Sequence, residues 1–300
     1  FVNGQNISSS LGLYLANASD IPVDYTLEVF PLSESWDMGT GRFINSPITT
    51  NGASWIYKNV DLTTWQSSSF SPNITASFTS DNPGGGNWYY NYKATESFDN
   101  RSKKDVYIDV SSTVNAWINN DIDNNGFIIK NNDAVEFDSN INYTLMYFSV
   151  DTNTIYPPYL DLKWDDSSYV TGSMPMIPSN NIVLSLSNNP GIFDIDAIST
   201  LRVRAREQYP QRTFVTSSIY ATGNYLPETS YWRLRDVDTD IIVIDFDKDF
   251  TKLSADTESN YFKLYMGGLE PERYYRTEIK VDYLGQSNIF KDDYYFKIKQ

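Results

Sequence analysis

The chain contains neither cysteine nor histidine. Without cysteine there is no disulfide framework, no thiolate nucleophile and no cysteine-held metal. Without histidine, the commonest general base, the Ser-His-Asp triad and most zinc sites are excluded as well. Any catalysis would have to run on carboxylates, lysine or tyrosine. Positive charge is also scarce: 23 Lys and Arg stand against 38 Asp and Glu, a formal net charge of −15. Such a chain repels phosphate backbones and anionic lipid, so neither nucleic acid nor a membrane surface is an expected partner, while cations and neutral sugars stay open. No run of about 20 apolar residues exists, so no membrane insertion is expected. No signal peptide is visible and the chain opens on Phe1 rather than Met, from which we expect a piece of a longer or processed polypeptide.

What the sequence does hold is β-forming. Of its 300 residues 40% are apolar and 15% aromatic, led by 23 Tyr and 16 Phe, and rings of this kind favour strands. Short half-apolar runs bounded by Gly, Asn, Asp or Pro recur along the chain: 11–15, 25–30, 105–110, 126–130, 143–149 and 159–164, then 182–186, 201–205, 231–235, 241–245, 261–265, 274–282 and 294–298. One segment departs from this alternation. Val114, Trp117 and Ile118 sit at i, i+3 and i+4, and Ser111 or Ser112 can cap them, so a short amphipathic helix is expected over 111–119. The polar, Pro-bearing stretch after Trp164 marks a boundary. We therefore expect an all-β protein of two β-sandwiches, with residues 1–166 as the first, 167–180 as a linker and 181–300 as the second. Seven short strands in about 130 residues fit an immunoglobulin-like sandwich for the second.

Five features in order give the first half its resemblance. They are the Leu11–Leu15 strand; Ser33–Asp37 followed by Gly39 and Gly41; the Gly52-Ala-Ser-Trp55 step; Tyr107–Val110 followed by Val114 and Trp117; and Gly126–Lys130, with Phe148 and Pro158–Leu160 closing the segment. Together they resemble the DNRLRE-type domain, a carbohydrate-binding-module-like, jelly-roll sandwich, over about residues 10–164. The family opens with strands upstream of the Leu-x-Leu-Tyr run, and only ten residues precede it here. The first domain is therefore expected to lack its first strands, which an upstream segment or a neighbour would supply. In that frame Trp36, Trp55 and Trp117 are expected to fill the space between sheets, and Gly39 and Gly41 to permit tight turns.

In the second half, Leu269, Pro271 and Tyr275 resemble the fibronectin type III "Leu-x-Pro-x-x-x-Tyr" corner, in which the tyrosine hydroxyl bonds backbone near Leu269. The whole chain resembles structural proteins of tailed phages of marine bacteria, on the runs 209–214, 225–231 and 268–275 and on the pairing of the two domain types. The resemblance implies a virion component of the tail or neck, found in the extracellular particle. Such a protein works by assembly with other virion proteins, as an oligomer, and not as an enzyme. The alternative is a carbohydrate-binding or adhesin module of a surface or secreted protein, with a host surface glycan as ligand.

Few residues suggest chemistry. Trp88, Tyr89 and Tyr90 follow a Gly-rich run and are candidates for stacking on sugar, set against an ordinary interface or buried role. Asp121, Asp123 and Asn125 open a D-x-D-x-N-G run like the start of a calcium loop, but Asn132 stands where the loop's bidentate Glu belongs, and an Asx-rich turn is the plainer reading. Ca²⁺ is the only cofactor the residues suggest. The acidic runs 236–240 and 245–249 read first as turns or a solvated face. No pair of carboxylates carries a local signature for glycoside hydrolysis, and none is assigned.

Overall fold

The structure is a computed structural model, and it describes residues 7–41, 46–47, 49–65, 74–76, 85–99, 101–136, 143–178, 180–210 and 223–299. The chain divides into two compact units, Phe1–Lys163 and Trp164–Gln300. Both are built of β-strands, in several mainly antiparallel sheets with sandwich-like packing.

The first unit comprises β1 (Ile7–Leu13), β2 (Leu15–Ser19), β3 (Tyr25–Pro31), β4 (Ile74–Ala76), β5 (Asn87–Tyr89), β6 (Ala94–Phe98), β7 (Val106–Asp109), α1 (Ser111–Ile118), β8 (Phe127–Asn131), α2 (Asp133–Glu136), β9 (Thr144–Tyr147) and β10 (Tyr159–Trp164). Its strands form two three-stranded sheets, β10–β1–β7 and β6–β3–β8, with the two-stranded pairs β2–β9 and β4–β5. Alternation places Val106 and Ile108 of β7 on the inside, where they meet Leu27 and Val29 of β3 and Phe98 of β6. Helix α1 presses Val114 into this cluster, with Trp117 and Ile118 half-buried beside it. Its cap differs from the expected one: Ser111 is the first helical residue, and Asp109 accepts the Ser111 N–H at 2.9 Å. An acceptor just upstream of the first turn satisfies a donor that a helix end leaves open.

The second unit comprises β11 (Ile182–Ser187), β12 (Ile192–Asp194), β13 (Ile198–Glu207), β14 (Ser230–Asp236), β15 (Ile242–Ile244), β16 (Ser254–Ala255), β17 (Asn260–Tyr265), β18 (Tyr274–Tyr283) and β19 (Gln286–Lys299). Two sheets result, β11–β13–β17–β16 and β12–β19–β18–β14–β15, and within them only β12 and β19 run parallel. Strand β14 alternates strictly, with Trp232 and Leu234 buried and Arg233 and Arg235 on the other face. Trp232 stacks on Phe262 of the opposite sheet with ring centroids 4.9 Å apart, so one interior joins the two layers.

The stretch 167–180, read from sequence as a linker, is held by the second unit. Val170 and Ala255 exchange backbone contacts through Val170 N–H to Ala255 and Ala255 N–H to Ser168, both 2.8 Å, and Ile177 is fully buried in the core. A segment whose N–H groups are paired and whose isoleucine is dry behaves as part of the sandwich.

Candidate functional site

In the first unit the two motif segments of the sequence meet. Gly39 has φ +74°, and a Cβ there would lie 2.6 Å from the Cα of Gly52. The two glycines therefore stack backbone on backbone, a closeness that no other residue permits. The Ala53 N–H donates to the Asp37 carbonyl at 2.7 Å and fixes the register of the pair. Trp36 precedes one glycine and Trp55 follows the other, so the clasp brings both indoles to one place.

That place is a cleft of about 560 Å³, lined by Trp36, Trp55, Trp65, Lys130, Asn131 and Glu136 among others. The expectation that Trp36 and Trp55 fill the space between sheets is not met: they are 42% and 49% exposed. Their loops lie outside the strand pairs, so neither ring has a facing sheet to enter. Trp36 is nevertheless fixed, its Nε1–H donating to the Asn125 carbonyl at 2.9 Å. Trp65, which the sequence did not single out, is the buried member and donates to the Ser54 carbonyl at 3.1 Å. Trp117 stays half-buried, 4.8 Å from the ring of Phe127.

Trp88 was a candidate for stacking on a ligand, and its position rules that out. It is 3% exposed, packs 5.6 Å from Phe30, and lies under the Lys130 ammonium at 5.1 Å. It lies in β5, which pairs with β4, and its neighbour Asn87 is buried as well. Tyr89 is half-buried, and Tyr90 alone of the three is exposed, at 46%. Lys130, itself almost wholly buried, is held by Glu136 at 2.7 Å, so the cleft carries a charge pair rather than a bare cation.

The loop proposed for calcium contributes a carbonyl to tryptophan instead. Asp121 and Asp123 are exposed, Asn125 uses its carbonyl to hold Trp36, and Asn124 Oδ1 accepts the Gly126 N–H at 3.2 Å. Among the described residues no group of three or more metal-ligating acids converges, here or elsewhere. The acidic runs of the second unit build turns. Burial would raise the Asp236 carboxyl, but the Thr239 N–H and Arg273 outweigh it and hold it below the ordinary carboxylate range. Asp247 likewise accepts the Asp249 N–H at 2.8 Å.

A second surface of the first unit is covered by tyrosine. Tyr14 lies 5.0 Å from Tyr156 and 5.8 Å from Tyr159, Tyr107 lies 6.5 Å from Tyr159, and Phe148 lies 5.7 Å from Tyr156. Tyr107, Tyr156 and Tyr159 are each exposed by two-fifths or more. Gly12 makes the arrangement possible: a Cβ there would stand 2.2 Å from the Tyr159 ring, which lies flat on the backbone of β1. The Tyr107 hydroxyl donates to Asp161 at 2.9 Å. Burial, with Tyr14 beside it, pushes the Tyr159 phenol well above its usual range, so it remains a neutral donor. The sequence hinted at this face only through the tyrosine count, because its members come from β1, β7, β10 and two loops.

In the second unit Tyr275 is buried and donates to the Glu270 carbonyl at 3.1 Å, next to buried Leu269 and half-buried Pro271. On the other face of the same sheet Glu278 has no exposed surface, and Arg233, Arg235 and Arg276 all approach it. Burial acts to raise this carboxyl, and Arg233 and its neighbours overcome it and hold it low.

What these surfaces offer is binding: planar rings, amide groups and fixed charge pairs. Scans against protein-family models, curated proteins and solved structures found no match to the chain.

Proposed function

We propose that the chain is a structural component of a tailed-phage virion, a tail or neck accessory protein that works through protein–protein assembly and not catalysis. The observation that carries this reading is the tyrosine face on β10–β1–β7. The exposed rings of Tyr107, Tyr156 and Tyr159 and the half-buried ring of Tyr14 form one layer. Tyrosine is enriched in the buried centre of protein interfaces, where its ring is desolvated and its hydroxyl finds a partner. Among the described residues β10 and β7 are the outer members of that sheet; the Tyr107 N–H of β7 is taken by Glu96 at 3.0 Å, so β10 is the edge offered for pairing with a neighbouring chain. The order of the motifs in the first half supports a DNRLRE-like, jelly-roll domain there. The strand order of the second unit, with the Tyr275 corner, supports an immunoglobulin- or fibronectin type III-like domain.

The test is mass spectrometry of purified particles, with antibody labelling of the chain by electron microscopy. The chain is expected at fixed stoichiometry on the tail or neck. A Tyr107→Ala/Tyr159→Ala variant is expected to fold and to be missing from particles. Absence of the wild-type chain from intact particles would sink the reading.

A further inference from the structure

We propose that the tryptophan cleft of the first unit is a binding site for a neutral glycan, with Trp36 and Trp55 as stacking platforms. This goes beyond assembly and does not depend on the chain being part of a particle. The inference begins from an oddity of burial. Large indoles are normally the best material for a core, yet two of them stand almost half exposed around one concavity while Trp65 and Trp88 beneath are dry. The exposure is held in place: Trp36 is pinned through Nε1 to Asn125, and the Trp55 carbonyl accepts the Gly85 N–H. A pinned Nε1–H leaves the ring's face as the surface that meets a ligand.

The polar groups of the cleft select the ligand class. Lys130 is the one cation among its described lining residues, and Glu136 neutralises it at 2.7 Å. A phosphate, sulfate or uronate would meet no net positive charge there, on a chain whose net charge is −15. Asn131 accepts the Tyr143 hydroxyl on its Oδ1, which leaves its amide N–H groups as donors, and the Glu136 carboxylate stands nearby as an acceptor. Apolar ring faces bordered by amide donors and a carboxylate match a pyranose, whose C–H face is apolar and whose rim is hydroxyl. At about 560 Å³ the cleft lies within the roughly 300–1,000 Å³ of small-ligand sites and holds a short oligosaccharide.

The experiment is an array of neutral and anionic oligosaccharides probed with the full chain, followed by fluorescence titration with the best soluble neutral trisaccharide. Retention of a neutral glycan with tryptophan quenching is expected. Trp55→Ala and Trp36→Ala should each weaken binding at least tenfold with little change in melting temperature, and Tyr159→Ala should leave it unchanged. Should Trp36→Ala not fold, Trp36→Phe keeps the platform and is expected to retain partial binding. Failure to retain any neutral glycan overturns the proposal, as does preference for anionic glycans or binding unaltered in Trp55→Ala. Each of these results leaves the assembly reading to its own test on particles.

Discussion

In the second unit Trp232 stacks on Phe262 between two sheets, and Phe193, Tyr275 and Phe296 close the same interior. In the first unit Trp36, Trp55, Tyr107 and Tyr159 stand at the surface, and the buried cluster is built chiefly of Tyr25, Phe98 and aliphatic residues. Both units draw on the same aromatic-rich composition and use it differently. Sheets of four and five strands enclose enough area to take Trp232, Phe262, Tyr275 and Phe296 inside, while Tyr209, Tyr265, Tyr274 and Tyr295 stay at the surface. Sheets of two and three strands bury Phe30, Trp65 and Trp88 as well, but leave Trp36, Trp55, Tyr107 and Tyr159 at the surface. A ring inside contributes to folding, whereas a ring outside contributes only when something covers it.

Mutations can break or sharpen this contrast. Phe296 has no exposed surface, so Phe296→Ala is expected to cost about 3–5 kcal/mol in denaturant unfolding. Trp55→Ala removes a larger ring and should cost under about 1 kcal/mol; equal losses would end the comparison. Glu278→Gln strands three arginines around a dry site and should cost about 3 kcal/mol at neutral pH. The sign with acid follows from the depressed carboxyl: its contribution is full above the ordinary glutamate value of 4.5 and fades as the pH falls through the folded value. The variant should therefore lose less than the wild type on acidification, measured as melting temperature against pH. Tyr275→Phe takes a buried hydroxyl from the Glu270 carbonyl and should cost about 1 kcal/mol. Gly12→Ala should cost less, because the half-exposed Tyr159 ring can swing away, yet it should disrupt the tyrosine face and reduce incorporation into particles. The smallest effect is expected at Arg202, whose partly exposed pair with Asp256 holds that carboxyl at about 2. The stability it gives is lost between about pH 4 and pH 2, so Arg202→Met should matter only above that window, by a few tenths of a kcal/mol.

Much of the fold was legible because period-two patterns are strong where one face is buried. β10 matches its expected span, β11, β17 and β18 differ from theirs by one residue at one end, and β14 by one residue at each end. Strands β4, β5, β12 and β16, of two or three residues each, are too short to show a period. The pattern of 11–15 predicts one strand, whereas Tyr14 separates β1 from β2, and β1 starts at Ile7. The candidate sites were read less well. Sequence spacing marks Trp36 and Trp55 as special but says nothing of which way they face. That depends on their loops lying outside the paired strands. Trp88 looked exposed because it follows glycines, and pairing of β5 buries it. The run 209–214, which carried part of the resemblance, falls partly outside the described residues.

The contact between Gly39 and Gly52 has a mechanical consequence. With no side chain between the two backbones, the loops carrying Trp36 and Trp55 rest directly on one another, so movement of either is opposed by the other. If the cleft takes a glycan as proposed, the ligand meets platforms already in place and has little ordering to drive. A methyl on either glycine would meet backbone within 2.6 Å and force the two loops apart, and on that proposal binding would weaken without any change to a tryptophan.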